Sequence, residues 1–187
     1  MNWTSTELEE LMPILEKIAE DLRPLQGKKI LVLCSAKGDV ALWLGAQVGP
    51  AGRVIGLELD EELLSSSQRR AQEAGLKTVQ FQRAERKRIP FPDGEFDAVV
   101  SEFILFPTTK PTEIGQPEMA RVLRPGGALI VTDVVTIKPI PEEARNQLRS
   151  IGLDYVCEAT PEDFLLWMRT AGLVNVTLCD FTALVTS

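Results

Sequence analysis

Ile30-Leu31-Val32-Leu33-Cys34-Ser35-Ala36-Lys37-Gly38-Asp39 is the stretch from which the rest of the chain can be read. Ile30 to Leu33 has the length and apolar composition of a strand buried on both faces. The run breaks at Ser35-Ala36-Lys37-Gly38, and Asp39-Val40-Ala41-Leu42-Trp43-Leu44-Gly45-Ala46 reads as a helix. A strand, a small-residue turn and a helix N-terminus together make a cradle for the polar end of a nucleotide-like ligand. Between strand and helix the only glycine is Gly38.

Working outward, the same alternation repeats. Upstream, Leu8, Leu11, Met12, Leu15, Ile18, Ala19 and Leu22 line one face of a helix predicted over Thr4 to Leu22, which Pro24 and Gly27 terminate. Downstream, the turn Gly49-Pro50-Ala51-Gly52 leads into a second buried strand, Arg53 to Leu59. Asp60 is placed to cap a helix from Glu61 to Ala74 that stops at Gly75. Strands are predicted at Thr78–Ala84, Phe96–Ser101 and Ala128–Val135, and helices near Glu113–Leu123, Pro141–Ser150 and Pro161–Ala171, the last capped by Thr160. Val174–Cys179 and Thr182–Thr186 read as two further strands, separated so briefly that they must be antiparallel.

Five strand–helix alternations predict an α/β fold with a doubly wound, mostly parallel seven-stranded sheet and a C-terminal antiparallel hairpin. No repeat, linker or low-complexity tract divides the chain. One domain over 1–187 is expected, with 1–27 as N-terminal helix and lead-in and 28–187 as the α/β core. The length of 187 residues is ample for one such core.

Composition narrows the function. A net charge of −7 argues against a general nucleic-acid binder, because a phosphate backbone would repel it. No apolar run approaches the ~20 residues that a membrane-spanning helix needs. Three cysteines without C-x-x-C spacing read as reduced thiols of a cytoplasmic protein. Histidine is absent, which removes the commonest general base and the commonest metal ligand together. No metal site is expected, and catalysis must rest on carboxylates, Tyr155, a cysteine or a cofactor's own reactivity.

In a doubly wound sheet, ligands bind at the carboxyl ends of the strands, beside the first. Four features fall there: the loop Cys34 to Gly38, Glu58 at the end of the second strand, Glu85 just past the third, and Ser101-Glu102-Phe103 at the end of the fourth. An acid about 20 residues beyond the first loop can accept ribose hydroxyls.

These pieces, with Gly49-Pro50-Ala51-Gly52-Arg53-Val54-Ile55-Gly56, Ile89-Pro90-Phe91-Pro92-Asp93-Gly94-Glu95-Phe96-Asp97 and Met119-Ala120-Arg121-Val122-Leu123-Arg124-Pro125-Gly126-Gly127, make the chain resemble the class I S-adenosylmethionine-dependent methyltransferases over nearly its whole length. The segments look like those of members that methylate quinone precursors, small metabolites or arsenite. The resemblance implies a Rossmann-like methyltransferase fold, S-adenosylmethionine as cofactor and a small-molecule substrate. It also implies cofactor contacts from Cys34, Ser35 and Gly38 in the first loop, ribose hydroxyls on Glu58, and the adenine amino group on Glu85 beside the Arg86 backbone. Ser101 would lie near the methionine portion, with Leu59 or Ile89 against the base.

The first loop departs from the family pattern. Val32 stands where the family carries an acid, and Cys34 and Ala36 stand where it carries glycines that let backbone approach the cofactor. Methyl transfer to a small molecule is therefore set against an alternative, a methyltransferase-like domain without turnover that binds a ligand or a protein. A nicotinamide dehydrogenase is disfavoured by the missing G-x-G-x-x-G spacing.

The remaining singular residues carry two readings each. Glu58 is a ribose acceptor or an exposed strand-end carboxylate, and Asp39 a helix N-terminal acid or a ligand contact. Arg83, Arg86, Lys87 and Arg88 form a solvated cluster or meet an anionic partner. Glu102 and Asp133 are candidate bases. Cys157 is an inert buried thiol or stands where arsenite methylators, as the resemblance implies, carry one of several thiols, and Trp43 and Trp167 are core or a substrate platform. The acceptor molecule and the oligomeric state are not legible.

Overall fold

The computed structural model describes residues 6–33, 38–83, 88–102, 115–133, 135–150 and 158–181. The elements run α1 (Thr6–Asp21), β1 (Lys29–Leu33), α2 (Asp39–Gly45), β2 (Arg53–Glu58), α3 (Glu61–Glu73), β3 (Val79–Arg83), β4 (Phe96–Glu102), α4 (Gln116–Val122), β5 (Leu123–Thr132), α5 (Glu142–Ser150) and α6 (Pro161–Thr170). The strands form a parallel sheet in the order β3-β2-β1-β4-β5.

Both faces of this sheet are covered, as parallel sheets require. On one face Ile30, Val32, Val54, Phe81, Ala98 and Val100 pack with Leu15 and Ile18 of α1, with Leu22 just past its end, and with α2 and α3. On the other, Leu31, Leu33, Ile55, Leu57 and Val99 meet Ile89 and α4. β1 is fully buried from Ile30 to Leu33, which explains its unbroken apolar run.

Local chemistry sets the element ends. Asp60 caps α3 by accepting from the backbone N–H groups of Glu62 (2.8 Å) and Leu63 (2.9 Å). Thr160 and Asp163 form a reciprocal capping box at the start of α6. Arg124-Pro125-Gly126-Gly127 lies within β5 as an irregularity. Phe96 pairs with Leu123 and Ala98 with Ala128, so four residues loop out between them.

The expected C-terminal hairpin requires correction in its first half. Val174 to Cys179 is not a strand. Asn175 takes φ 55°, which breaks an extended run, and Val174 is 80% exposed rather than packed in a pleat. Thr182 to Thr186 lies outside the described residues. Five strands are therefore seen among the described residues where seven were predicted.

The turn from Ile89 to Gly94 is held to α4 by a charged brace. Arg121 pairs through two bonds with Glu118 (2.7 and 2.8 Å) and also bonds Asp93 (2.7 Å). Arg121 holds the Glu118 carboxyl below its ordinary value of 4.5, aided by the backbone N–H of Ile89 and opposed by burial. A depressed carboxyl pKa gives stability that is fully present above the unfolded-state value and is lost as pH falls through the folded one. Acid titration of unfolding should therefore show a steeper loss of stability below about pH 4.5 in the wild type than in Glu118→Gln. Equal acid limbs would show that this pair contributes nothing to the pH dependence.

Candidate functional site

Strand register brings the candidate residues to one edge. Leu33, the last residue of β1, pairs with Leu57 of β2 on one side and with Ser101 of β4 on the other. Glu58 follows Leu57 and pairs with Arg83. Chain order reverses between β1 and β4, so the switch point lies over the carboxyl end of β1. Gly38, Glu58 and Ser101 all border it.

Glu58 is 6% exposed. As the chain turns from β2 into α3, the N–H groups of Leu59 (2.8 Å) and Asp60 (3.1 Å) fold back onto its Oε1. One oxygen is thus anchored by backbone, and no bond from a described residue engages the other. A carboxylate held this way is a pre-oriented acceptor for paired hydroxyls. The exposed-carboxylate reading of Glu58 does not hold.

Ser101 is 1% exposed, and its Oγ has no hydrogen-bond partner among the described residues. A buried unsatisfied hydroxyl costs about 1–3 kcal/mol, a cost that a ligand's polar group would relieve. Strand alternation puts Ser101 on the α4 face with Leu33 and Val99, and Glu58 on the α3 face with Gly56. The two polar groups therefore flank the end of β1 from opposite faces. A ligand lying across the sheet edge can reach both, and in this respect the residues fit a nucleoside-containing cofactor.

Gly38 precedes α2 with φ 79°. A Cβ there would lie 2.8 Å from Phe81 Cζ and 2.9 Å from Ser67 Oγ. The one glycine retained in the loop is thus required by packing, whether or not a cofactor approaches. Val32, where the family acid would stand, is 0% exposed within the apolar cluster that includes Val40, Ala41 and Phe81.

Leu59 is half-buried and packs against the α4-side cluster, at the rim of the site. Ile89 is fully buried in that cluster and serves as core. Cys34, Ser35, Glu85 and Arg86 lie outside the described residues, as do Tyr155 and Cys157. Asp39 bonds Arg70 of α3 at 2.6 Å, which matches a helix N-terminal acid tying two helices together. Arg83 pairs with Glu61 in solvent, and Arg88 is exposed. Trp43 packs against the α1-side cluster and Trp167 against Phe164, as core residues do. Glu102 ends β4, and Asp133 follows β5 partly buried.

Two participants were not singled out in the sequence. Phe81 faces Gly56 across the β2–β3 register and fills the space beside Gly38. A glycine inside a buried strand signals such close approach, so Gly56 carried the clue. Arg121 lay within a motif quoted for its resemblance, and nothing local in the sequence shows what it bonds.

Comparison with known proteins agrees with this architecture. The model of the ubiE/COQ5 methyltransferase family matches residues 14–147. A demethylmenaquinone methyltransferase of Listeria welshimeri is 32% identical over 112 residues, covering 60% of this chain and 47% of the relative. The ubiquinone/menaquinone biosynthesis C-methyltransferase UbiE of Pseudomonas entomophila is 33% identical over 108 residues, covering 57% and 42%. This chain thus spans about half the length of the curated relatives it matches. The crystal structure of a SAM-dependent methyltransferase from Aquifex aeolicus superposes with a TM-score of 0.64 at 23% identity, over 84% of this chain and 78% of that one. That likeness bears on the fold.

Proposed function

The chain belongs to the ubiE/COQ5 methyltransferase family, and we propose that it transfers a methyl group from S-adenosylmethionine to a ring carbon of a quinone precursor. The observation that carries this reading is the meeting of an anchored carboxylate, Glu58, and a buried hydroxyl with no partner among the described residues, Ser101, at the switch point of the sheet. The names of the related quinone methyltransferases supply the substrate class.

S-adenosylmethionine is the cofactor, and when bound it supplies a methyl group activated by a sulfonium. The chain's task is then to position a nucleophile rather than to run an elaborate acid–base array, which suits a protein without histidine. Glu58 accepts the ribose hydroxyls and Leu59 packs beside the base. Glu85 and the Arg86 backbone receive the adenine amino group. Cys34, Ser35 and Gly38 border the amino acid portion, to which Ser101 offers its hydroxyl. Glu102 or Asp133, at the ends of β4 and β5, would take the proton released from the methylated carbon.

One observation favours a second reading, a binding module without turnover. Val32 is apolar and fully buried where the family has an acid to orient the loop. Calorimetry with S-adenosylhomocysteine followed by a methyl-transfer assay on a demethylated quinol separates the two. Saturable binding with methylated product is expected. No heat and no thermal shift at millimolar ligand would overturn the enzyme reading, and binding without product would favour the module.

A further inference from the structure

Arg121 uses all five guanidinium N–H groups. Nε donates to Glu118 Oε1 (2.7 Å), and Nη2 to Glu118 Oε2 (2.8 Å) and the Ile89 carbonyl (3.0 Å). Nη1 donates to the Phe91 carbonyl (2.9 Å) and to Asp93 Oδ1 (2.7 Å). Glu118 in turn accepts from the Ile89 N–H at 3.0 Å, and the Arg121 carbonyl accepts from Gly94 N–H at 3.0 Å. One side-chain pair on α4 therefore fixes both backbone groups of Ile89 and holds the following turn at two more points, with the Arg121 carbonyl adding a third.

The position of Ile89 gives this brace a bearing on the site. Its side chain lies fully buried in the cluster that includes Leu33 and Leu57, the residues that end β1 and precede Glu58, and Leu59 packs on the same cluster. The chain leaves β3 at Arg83, in register with Glu58, and returns to the core at Ile89. Arg83 is held by strand pairing, and Ile89 by the brace.

We infer that Arg121, with Glu118 as its partner, is a positioning residue for the cofactor site, acting through Ile89 on the α4-face wall that includes Leu33, Leu57 and Leu59. The inference rests on the function proposed above. Lysine cannot replace this arginine, because a single ammonium has neither the planar fork nor five donors.

The test compares wild type, Arg121→Lys and a control of similar thermal stability loss, Phe164→Leu in the α6 cluster, all as full chains at a temperature where circular dichroism shows each folded. Two quantities are measured: S-adenosylhomocysteine affinity, and the rate of tryptic cleavage after Arg86, Lys87 and Arg88. Arg121→Lys should weaken the ligand by about tenfold, the equivalent of one lost charge-assisted hydrogen bond, and speed cleavage by a similar factor. The control should leave both near wild type. Equal affinity in wild type and Arg121→Lys, or equal losses in Arg121→Lys and the control, would reduce Arg121 to a structural role. A wild type that binds no S-adenosylhomocysteine would overturn the proposed function and this assignment together, so the two failures are distinguishable.

Discussion

Gly56→Ala should cost the protein about 2–3 kcal/mol of stability, the upper part of the range for overpacking a well-filled interior. A Cβ at Gly56 would lie 2.3 Å from Phe81 Cδ1 and 2.4 Å from Phe81 Cε1, well inside contact distance. Neither partner can yield easily. Gly56 is buried in the middle of β2, between β1 and β3, and the far edge of the Phe81 ring abuts Gly38. At roughly 2–4 °C per kcal/mol for a chain of this size, the melting temperature should fall by about 5–10 °C. Phe81→Leu should itself destabilise, yet the Gly56→Ala/Phe81→Leu double variant should be more stable than the sum of the two losses implies. Additive losses in that cycle would show that the ring is not what excludes a side chain at Gly56.

Glu58→Gln should lower S-adenosylhomocysteine affinity by about ten- to a hundredfold, because hydrogen bonds to a charged acceptor contribute roughly 1.5–3 kcal/mol. The amide is the informative replacement. Its carbonyl oxygen can still accept from the Leu59 and Asp60 N–H groups, so the turn into α3 should persist and the melting temperature should stay near wild type. Glu58→Ala would remove that anchor as well and mix the two effects. Calorimetry on Glu58→Gln showing wild-type affinity would place the ribose away from this carboxylate and leave Ser101 without its opposite partner.

Restoring the family acid at residue 32 would not be a simple repair. Val32 has no exposure and its neighbours are aliphatic or aromatic, so an aspartate there would carry its charge into an apolar cluster. Gly38 illustrates the same point from the other side, since its absence of a side chain is demanded by Phe81 and Ser67.

The order of elements was legible because it follows from local chemistry. The apolar run Ile30–Leu33, the cap Asp60 and the cap Thr160 with Pro161 all appear in the structure as read. The candidate site was legible in part. Glu58 and Ser101 could be placed at strand ends from spacing alone, whereas the two N–H groups on Glu58 and the lack of a partner for Ser101 among the described residues could not. Val174–Cys179 was misread because alternating apolar residues state a capacity for pairing, and a strand also needs a neighbour and an unbroken extended backbone. Asn175 supplies the break.

By itself, then, the sequence determined the alternation of strands and helices, the absence of histidine and the clustering of polar residues at strand ends. All of these are properties of neighbours along the chain. Tertiary structure alone decided that Phe81 makes Gly38 and Gly56 obligatory, that Glu58 and Ser101 flank β1 from opposite faces, and that Arg121 spends three of its five donors on a turn about thirty residues upstream. Such contacts join residues far apart in sequence, and their energies depend on distances and burial that composition and periodicity do not encode.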